Sequence, residues 1–316
     1  MGPLLPLFGR QKPPPPTDAE RQAAAVDLQR IEQGGIPLGA EQRLKRVATA
    51  STPFFTSDLS AKEYALAQVG GLQPIAQVMG SSVVQHGWVY NQAGFYGGMS
   101  EVTGLSEPWN MARERAFDRL RQEAQFAGAD GIIGIEMTAG SIGDASNVEF
   151  VVFGTAVRDT AFPPGPREPF GMCALSGQDV DKLRRIGAAV CGVVGHTTVV
   201  AVALQANSNY VMNSSGFFGG GGAVNMEIPE ITNGVYEARR RAIGEVRRQA
   251  ASADANNIVI STLMHTIEHR EYDQGGYKIN YFYVTMNVLG TAIRLGAHAP
   301  HPAPLTGPVM SINLGR

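Results

Sequence analysis

The sequence predicts an α+β protein made of two tandem small domains, each an antiparallel sheet backed by a main helix, behind an N-terminal helical leader. Three observations lead there. Five blocks recur in the same order. Ser60-Ala61-Lys62-Glu63 returns as Ser176-Gly177-Gln178-Asp179, and Val78-Met79-Gly80 as Val193-Val194-Gly195. Gly94-Phe95-Tyr96-Gly97-Gly98 returns as Gly216-Phe217-Phe218-Gly219-Gly220, Ala112 to Ala116 as Ala238 to Ala242, and Gly154 to Arg158 as Gly290 to Arg294. Each half also carries one long helix with an alanine-rich stripe, and each such helix runs into a strand, a turn and a strand. Ordered recurrence of this kind marks a duplicated unit rather than one large fold.

The leader, residues 1–50, comes first. Pro13 to Pro16 form a stiff polyproline break. Thr17 with Glu20 has capping-box spacing, so a helix should run to about Glu32 and stop at Gly34-Gly35. A second short helix is expected over 40–47. The second half has nothing like this leader, which reads as an arm packed on a neighbouring surface.

The first domain is placed at 51–160. Ser60 and Glu63 make another capping box, predicting a helix over 61–69 that ends at Gly70-Gly71. A β-rich run follows over 75–90, matched by 190–206, where β-branched residues dominate. Ser106 and Pro108 mark the start of the main helix. Ala112, Ala116, Leu120, Ala124 and Ala127 then share one face, as do Ala238, Ala242, Val246, Ala250 and Ala253. Such small side chains let a helix approach a sheet closely. The opposite face reads as charged, with Arg113, Asp118 and Arg121 in one copy and Arg240, Arg247 and Arg248 in the other.

Hairpins are predicted over 131–138 and 147–158 around Gly140 to Gly143, and over 257–271 and 277–294 around Asp273 to Gly276. A Pro-rich linker, 161–170, separates the copies, so the second domain occupies 171–295. The remainder, 296–316, reads as a flexible tail, within which Val309 to Leu314 could add to a partner as an edge strand.

Composition bounds the function. With 44% hydrophobic and 17% charged residues, the chain can fill two ordinary cores. A net charge of -2 creates no global field for nucleic acid or an anionic membrane. Cys173 and Cys191 fall in one copy only, so no disulfide framework is expected and a reducing compartment fits. The apolar run Leu4 to Phe8 is interrupted by Pro6 and is too short for a signal core or a membrane span. The expected setting is cytoplasmic, without a transmembrane segment.

Taken as a set, these features carry a resemblance. The capped helix, the Val-Met-Gly strand, and the helix ending in Ala127-Gly128-Ala129-Asp130-Gly131-Ile132-Ile133-Gly134 occur in order, closed by Gly154-Thr155-Ala156-Val157. This pattern is similar to the YbjQ-like family, labelled "putative heavy-metal-binding domain". It covers Thr56 to Arg158 well and Leu175 to Arg294 with one departure, Asp254-Ala255-Asn256-Asn257 at the helix exit. The resemblance implies a small domain with an antiparallel sheet backed by a helix, and ring-shaped homo-oligomers, typically pentamers. It supplies no catalytic residues, and its metal label is a fold-level reading.

The binding-loop candidates are Gly94, Phe95, Tyr96 and Gly97 with Gly216, Phe217, Phe218 and Gly219. Adjacent aromatics in a glycine-rich loop suit docking into a neighbouring subunit, a central opening or a membrane, although such loops are as often plain surface. A phosphate cradle is disfavoured because Glu101, Glu107, Glu227 and Glu230 stand between loop and helix. The metal candidates are His86, His196, His265 and His269, whose type suits zinc or copper. His265-Thr266-Ile267-Glu268-His269 fits the inverted zinc-protease pattern, but its neighbours predict a strand, on which the two imidazoles stand roughly 13 Å apart. The arginines of the second main helix lack the interleaved aromatics of a nucleic-acid surface. The expectation is a non-enzymatic protein whose partner is itself, in pentamer-based rings. The alternative is a metal-binding protein whose histidines meet at subunit interfaces.

Overall fold

The computed structural model describes residues 16–50, 56–57, 59–87, 98–142, 147–160, 171–209, 227–274 and 276–296. The leader forms α1 (Asp18–Glu32) and α2 (Leu38–Thr49). Thr17 caps α1 in a full capping box with Glu20. Ile36 and Leu44 fold into the core against the first main helix, so the leader is anchored by apolar burial.

The first half then runs α3 (Ala61–Val69), β1 (Leu72–Gln85), β2 (Met99–Glu101), α4 (Thr103–Phe126), β3 (Gly131–Ile142) and β4 (Asn147–Asp159). The second runs β5 (Gly171–Met172), α5 (Gly177–Arg185), β6 (Ala188–Ala203), α6 (Pro229–Ser252), β7 (Asn257–Gln274) and β8 (Tyr277–Leu295). Ser60 caps α3 in a second capping box with Glu63, and Ser176 caps α5 through the Asp179 N–H.

Two four-stranded sheets result, ordered β1-β4-β3-β5 and β2-β6-β8-β7. Their long strands pair antiparallel in the same order, β1-β4-β3 in one and β6-β8-β7 in the other. Each sheet also borrows a short strand from across the chain's middle. β5 adds parallel to β3, and β2 adds antiparallel to β6.

Alternation along β6 fixes the layers, because successive side chains on a strand point to opposite faces. Val200 and Val202 pack in one cluster with Ala238, Ala242 and Val246 of α6. Val199, Ala201 and Ala203 pack in another with Leu105 and Trp109 of α4. The second sheet is thus covered by α6 on one face and by the start of α4 on the other. The alanine stripe of α4 meets the first sheet, with Ala112, Ala116 and Leu120 fully buried. Gly80 permits that approach, since a Cβ there would lie 1.8 Å from the Ala116 carbonyl oxygen.

Several sequence expectations shift. The main helix starts at Thr103, where the Leu105 and Ser106 N–H groups reach the Val102 carbonyl, so Pro108 lies within it. Gly140, Ser141 and Ile142, expected in a turn, belong to β3, which stays paired with β4 to Ile142↔Asn147, and Gly143 lies outside the described residues. Val78 stands opposite Gly154 and Val194 opposite Gly290, so the strand repeat is displaced by one position from the sequence match. Ala253 is an exposed cap beyond the end of α6. Arg113, read as part of a charged solvent face, is only 7% exposed because the second sheet covers it. The linker, all but Gly296 of the tail, and the first fifteen residues lie outside the described residues.

Candidate functional site

The richest arrangement of polar groups lies where the two halves meet. β2 lays its backbone along the edge of β6, pairing Met99↔Val202 and Glu101↔Val200. The Val102 N–H continues the ladder to the Val199 carbonyl at 2.9 Å. The chain then turns into α4, whose first two turns bond the same strand. Ser106 Oγ accepts the Val199 N–H at 2.9 Å. Asn110 brackets Thr197, donating to its carbonyl at 2.8 Å and accepting its N–H at 3.0 Å. Every backbone group of β6 that a bare edge would leave open along this stretch is therefore answered by a side chain or a strand.

Charges complete the junction. Arg241 of α6 donates to Glu101 at 3.2 Å. Arg113 donates to Asn110 at 2.7 Å and packs beside Gly195. Burial pushes its pKa down to about 10, with Glu114 and Glu245 opposing the shift, so it remains charged at neutral pH. His196 is half-buried nearby, and its pKa is lowered first by that burial and then by the Arg113 charge.

Beside the junction a cavity of about 300 Å³ opens between the two sheets, lined in part by Trp109. His86, Ser141, Arg270, Tyr283 and Asn287 contribute polar groups to its wall. Arg270 pairs with Glu268 at 2.8 Å and lies over the Tyr283 ring at 4.9 Å. Burial, then the Tyr272 hydroxyl, pushes the Tyr283 phenol up, so it stays a neutral hydrogen-bonding group. Thr266, Glu268 and Thr285 line it as well, beside the apolar Leu105, Val148, Val199 and Ile267.

The sequence-derived candidates divide sharply. Gly94, Phe95, Tyr96, Gly97, Gly216, Phe217, Phe218 and Gly219 lie outside the described residues. His265 and His269 both stand on β7, opposite Met286 and Phe282. His269 is engaged there, stacked on Phe282 and bonded to Asn280 at 2.6 Å. His196 stands on β6, with β8 between it and β7. His86 lies at the end of β1 on the other sheet, with its Nδ1 3.1 Å from the Gly87 carbonyl oxygen. Among the described residues no three His, Cys, Asp or Glu side chains converge on a point that could hold a metal. Sequence reasoning missed the junction residues Ser106, Asn110 and Arg113. The available signal was the hydroxyl and carboxylate common to both halves, Ser106 with Thr232 and Glu101 with Glu227.

No helix among the described residues is long and apolar enough to cross a membrane. Residues 69–160 match the family model described as "Putative heavy-metal-binding". The encapsulin nanocompartment protein Rv1762c of Mycobacterium tuberculosis is 36% identical over 212 residues, 65% of this chain and 76% of that protein. A UPF0145 protein of Halorubrum lacusprofundi is 45% identical over 58 residues, 18% of this chain and 55% of that protein. Another from Vibrio parahaemolyticus is 43% identical over 58 residues, covering 18% and 54%. The match to these two spans about half of each relative's length. With this identity across three quarters of the Mycobacterium protein, and the family pattern over the first sheet, the chain belongs to the YbjQ-like family.

Proposed function

We propose that the protein is a non-enzymatic homo-oligomeric assembly protein built from two YbjQ-like domains, 51–160 and 171–295, joined in pentamer-based rings. The observation that carries this reading is the junction itself. It is a head-to-tail contact between two units of like strand order, made through different surfaces of each, and repeated contacts of that type generate rings where the rotation closes. The similarity to a protein named as an encapsulin nanocompartment protein supports assembly as the role. Mass photometry of the untagged chain at micromolar concentration tests it. The expected result is one dominant species of many chains, its mass a multiple of five. A single-chain mass throughout the concentration range would overturn the reading.

The family description and the four histidines support a second reading, in which copies bring His86, His196, His265 or His269 together at an interface to bind zinc or copper. Elemental analysis of the assembled protein should then show stoichiometric metal, lost when the responsible histidine becomes alanine. Protein that carries no metal and takes up neither ion would end it.

A further inference from the structure

The junction between the halves has an unused counterpart at each end of the chain. Superposing the two halves by strand register places Val83 where Val199 stands, Ser81 where Thr197 stands and Met79 where Gly195 stands. On the second sheet this face is closed, with Val199 only 2% exposed. On the first sheet it is open, with Val83 54% and Met79 51% exposed. The Val83 N–H and carbonyl lie on the free edge of β1, and no described residue bonds them. Among the described residues, the leader reaches this edge alongside Met79 and Ser81, through Glu123 and Arg119 of α4.

The complementary surface is on α6. Its cap, Ile228, has backbone angles of φ -104 and ψ 94, close to the φ -99 and ψ 83 of Val102 at the start of α4. Alignment of the helices makes Glu227 the equivalent of Glu101, Thr232 of Ser106 and Arg239 of Arg113. The α4 members of the last two pairs are buried by the junction, whereas Thr232 is half-buried and Arg239 exposed. The charge pair has its counterpart too. Arg241, which bonds Glu101, is equivalent to Arg115 of α4, and Arg115 is exposed with no acidic partner among the described residues.

We infer that chains join by repeating the intrachain junction between molecules, with the start of α6 in one copy covering the open edge and outer face of β1 in the next. This deepens the assembly reading and rests on it. Ile228 extends the ladder at Val83, the Thr232 hydroxyl accepts the Val83 N–H, and Glu227 pairs with Arg115 of the next chain. The partner is a second copy because the chain already contains the fitted version of this surface. The two faces are different, so the contact is heterologous, and a ring forms where its rotation closes.

Val83→Asp tests the face without loading the monomer fold, because the side chain is exposed in the single chain and is buried only by docking. A carboxylate trapped there without a partner opposes association strongly, and assembly should weaken at least about tenfold. Val69→Asp, on the still more exposed end of α3, is the control and should assemble as the parent does. Arg115→Glu should weaken assembly by placing two carboxylates together, and adding Glu227→Arg should restore it. Circular dichroism confirms that each variant is folded. If the parent assembles and Val83→Asp assembles equally well, this interface is overturned while the assembly reading stands. If the charge swap restores nothing, the Glu227–Arg115 pairing is overturned. If the parent itself is a single chain, the assembly reading fails and takes the interface with it.

Discussion

Ser106 of the first half accepts a hydrogen bond from the Val199 backbone of the second at 2.9 Å, in a setting where Ser106 is 3% exposed. The bond ties the start of α4 to the edge of β6. Ser106→Ala leaves the Val199 N–H buried without a partner, a loss of about 1–3 kcal/mol. Chemical denaturation of the variant should show a lower midpoint with an unchanged slope. A midpoint equal to the parent's would mean that water or another group answers the Val199 N–H.

Gly80 is a contact point between β1 and α4, where an added Cβ meets the Ala116 oxygen at 1.8 Å and the Leu120 nitrogen at 2.7 Å. Both are helix backbone atoms, so relief requires moving the helix. Gly80→Ala should therefore destabilise by about 3 kcal/mol or more. Gly87→Ala is the matched comparison, since a Cβ there has nothing within 4 Å. Thermal melts of the two variants should differ clearly, and equal melting temperatures would contradict the close approach.

Much of this architecture is legible in the sequence because it depends on local chemistry. Thr17 with Glu20 and Ser60 with Glu63 signal their helices through reciprocal caps, and both caps form. The stripes at Ala112, Ala116 and Leu120 and at Ala238, Ala242 and Val246 follow helical period and are buried as expected. Arg113 was not legible. Its sequence neighbours place it on a polar helix face, and only the arrival of the second sheet, through Gly195, turns that face inward. The same holds for β2, since the three residues Met99–Glu101 carry no strand signal of their own and pair only because β6 has an edge to offer. Contacts between distant segments override local pattern at this junction, and the candidate site lies there.

Asp254 occupies the position that Gly128 holds at the exit of the other main helix, and it adopts the same left-handed backbone, φ 56 beside φ 68. An L-residue is strained there, by roughly 1–2 kcal/mol for a generic side chain and less for aspartate. Its carboxylate pairs with Arg294, but both groups are largely exposed, so the pair contributes little. Asp254→Gly should raise stability by a few tenths to about 1 kcal/mol. A fall in melting temperature would show that the Arg294 pair outweighs the backbone strain.

Glu123 and Gln249 do the same work in the two halves, which gives a test of what the charge at Glu123 costs. The Glu123 carboxylate accepts the Met79 N–H at 2.8 Å, and Gln249 accepts the Gly195 N–H at 3.1 Å. Glu123 is buried, and its pKa is raised by that burial, against the smaller opposing pulls of the Met79 N–H and Arg43. The folded state thus holds the proton more tightly than the unfolded chain. The stabilisation this provides is complete below the unfolded value of about 4.3 and is lost as pH rises through the folded value. Glu123→Gln keeps an acceptor for Met79 and cannot ionise. The variant should melt at or above the parent's temperature at pH 7, and its advantage should shrink as pH falls towards 4. Melts at intervals across that range read the difference directly. An advantage that stays constant, or grows as pH falls, would mean that burial does not govern this carboxylate and that its bonds to Met79 and Arg43 do.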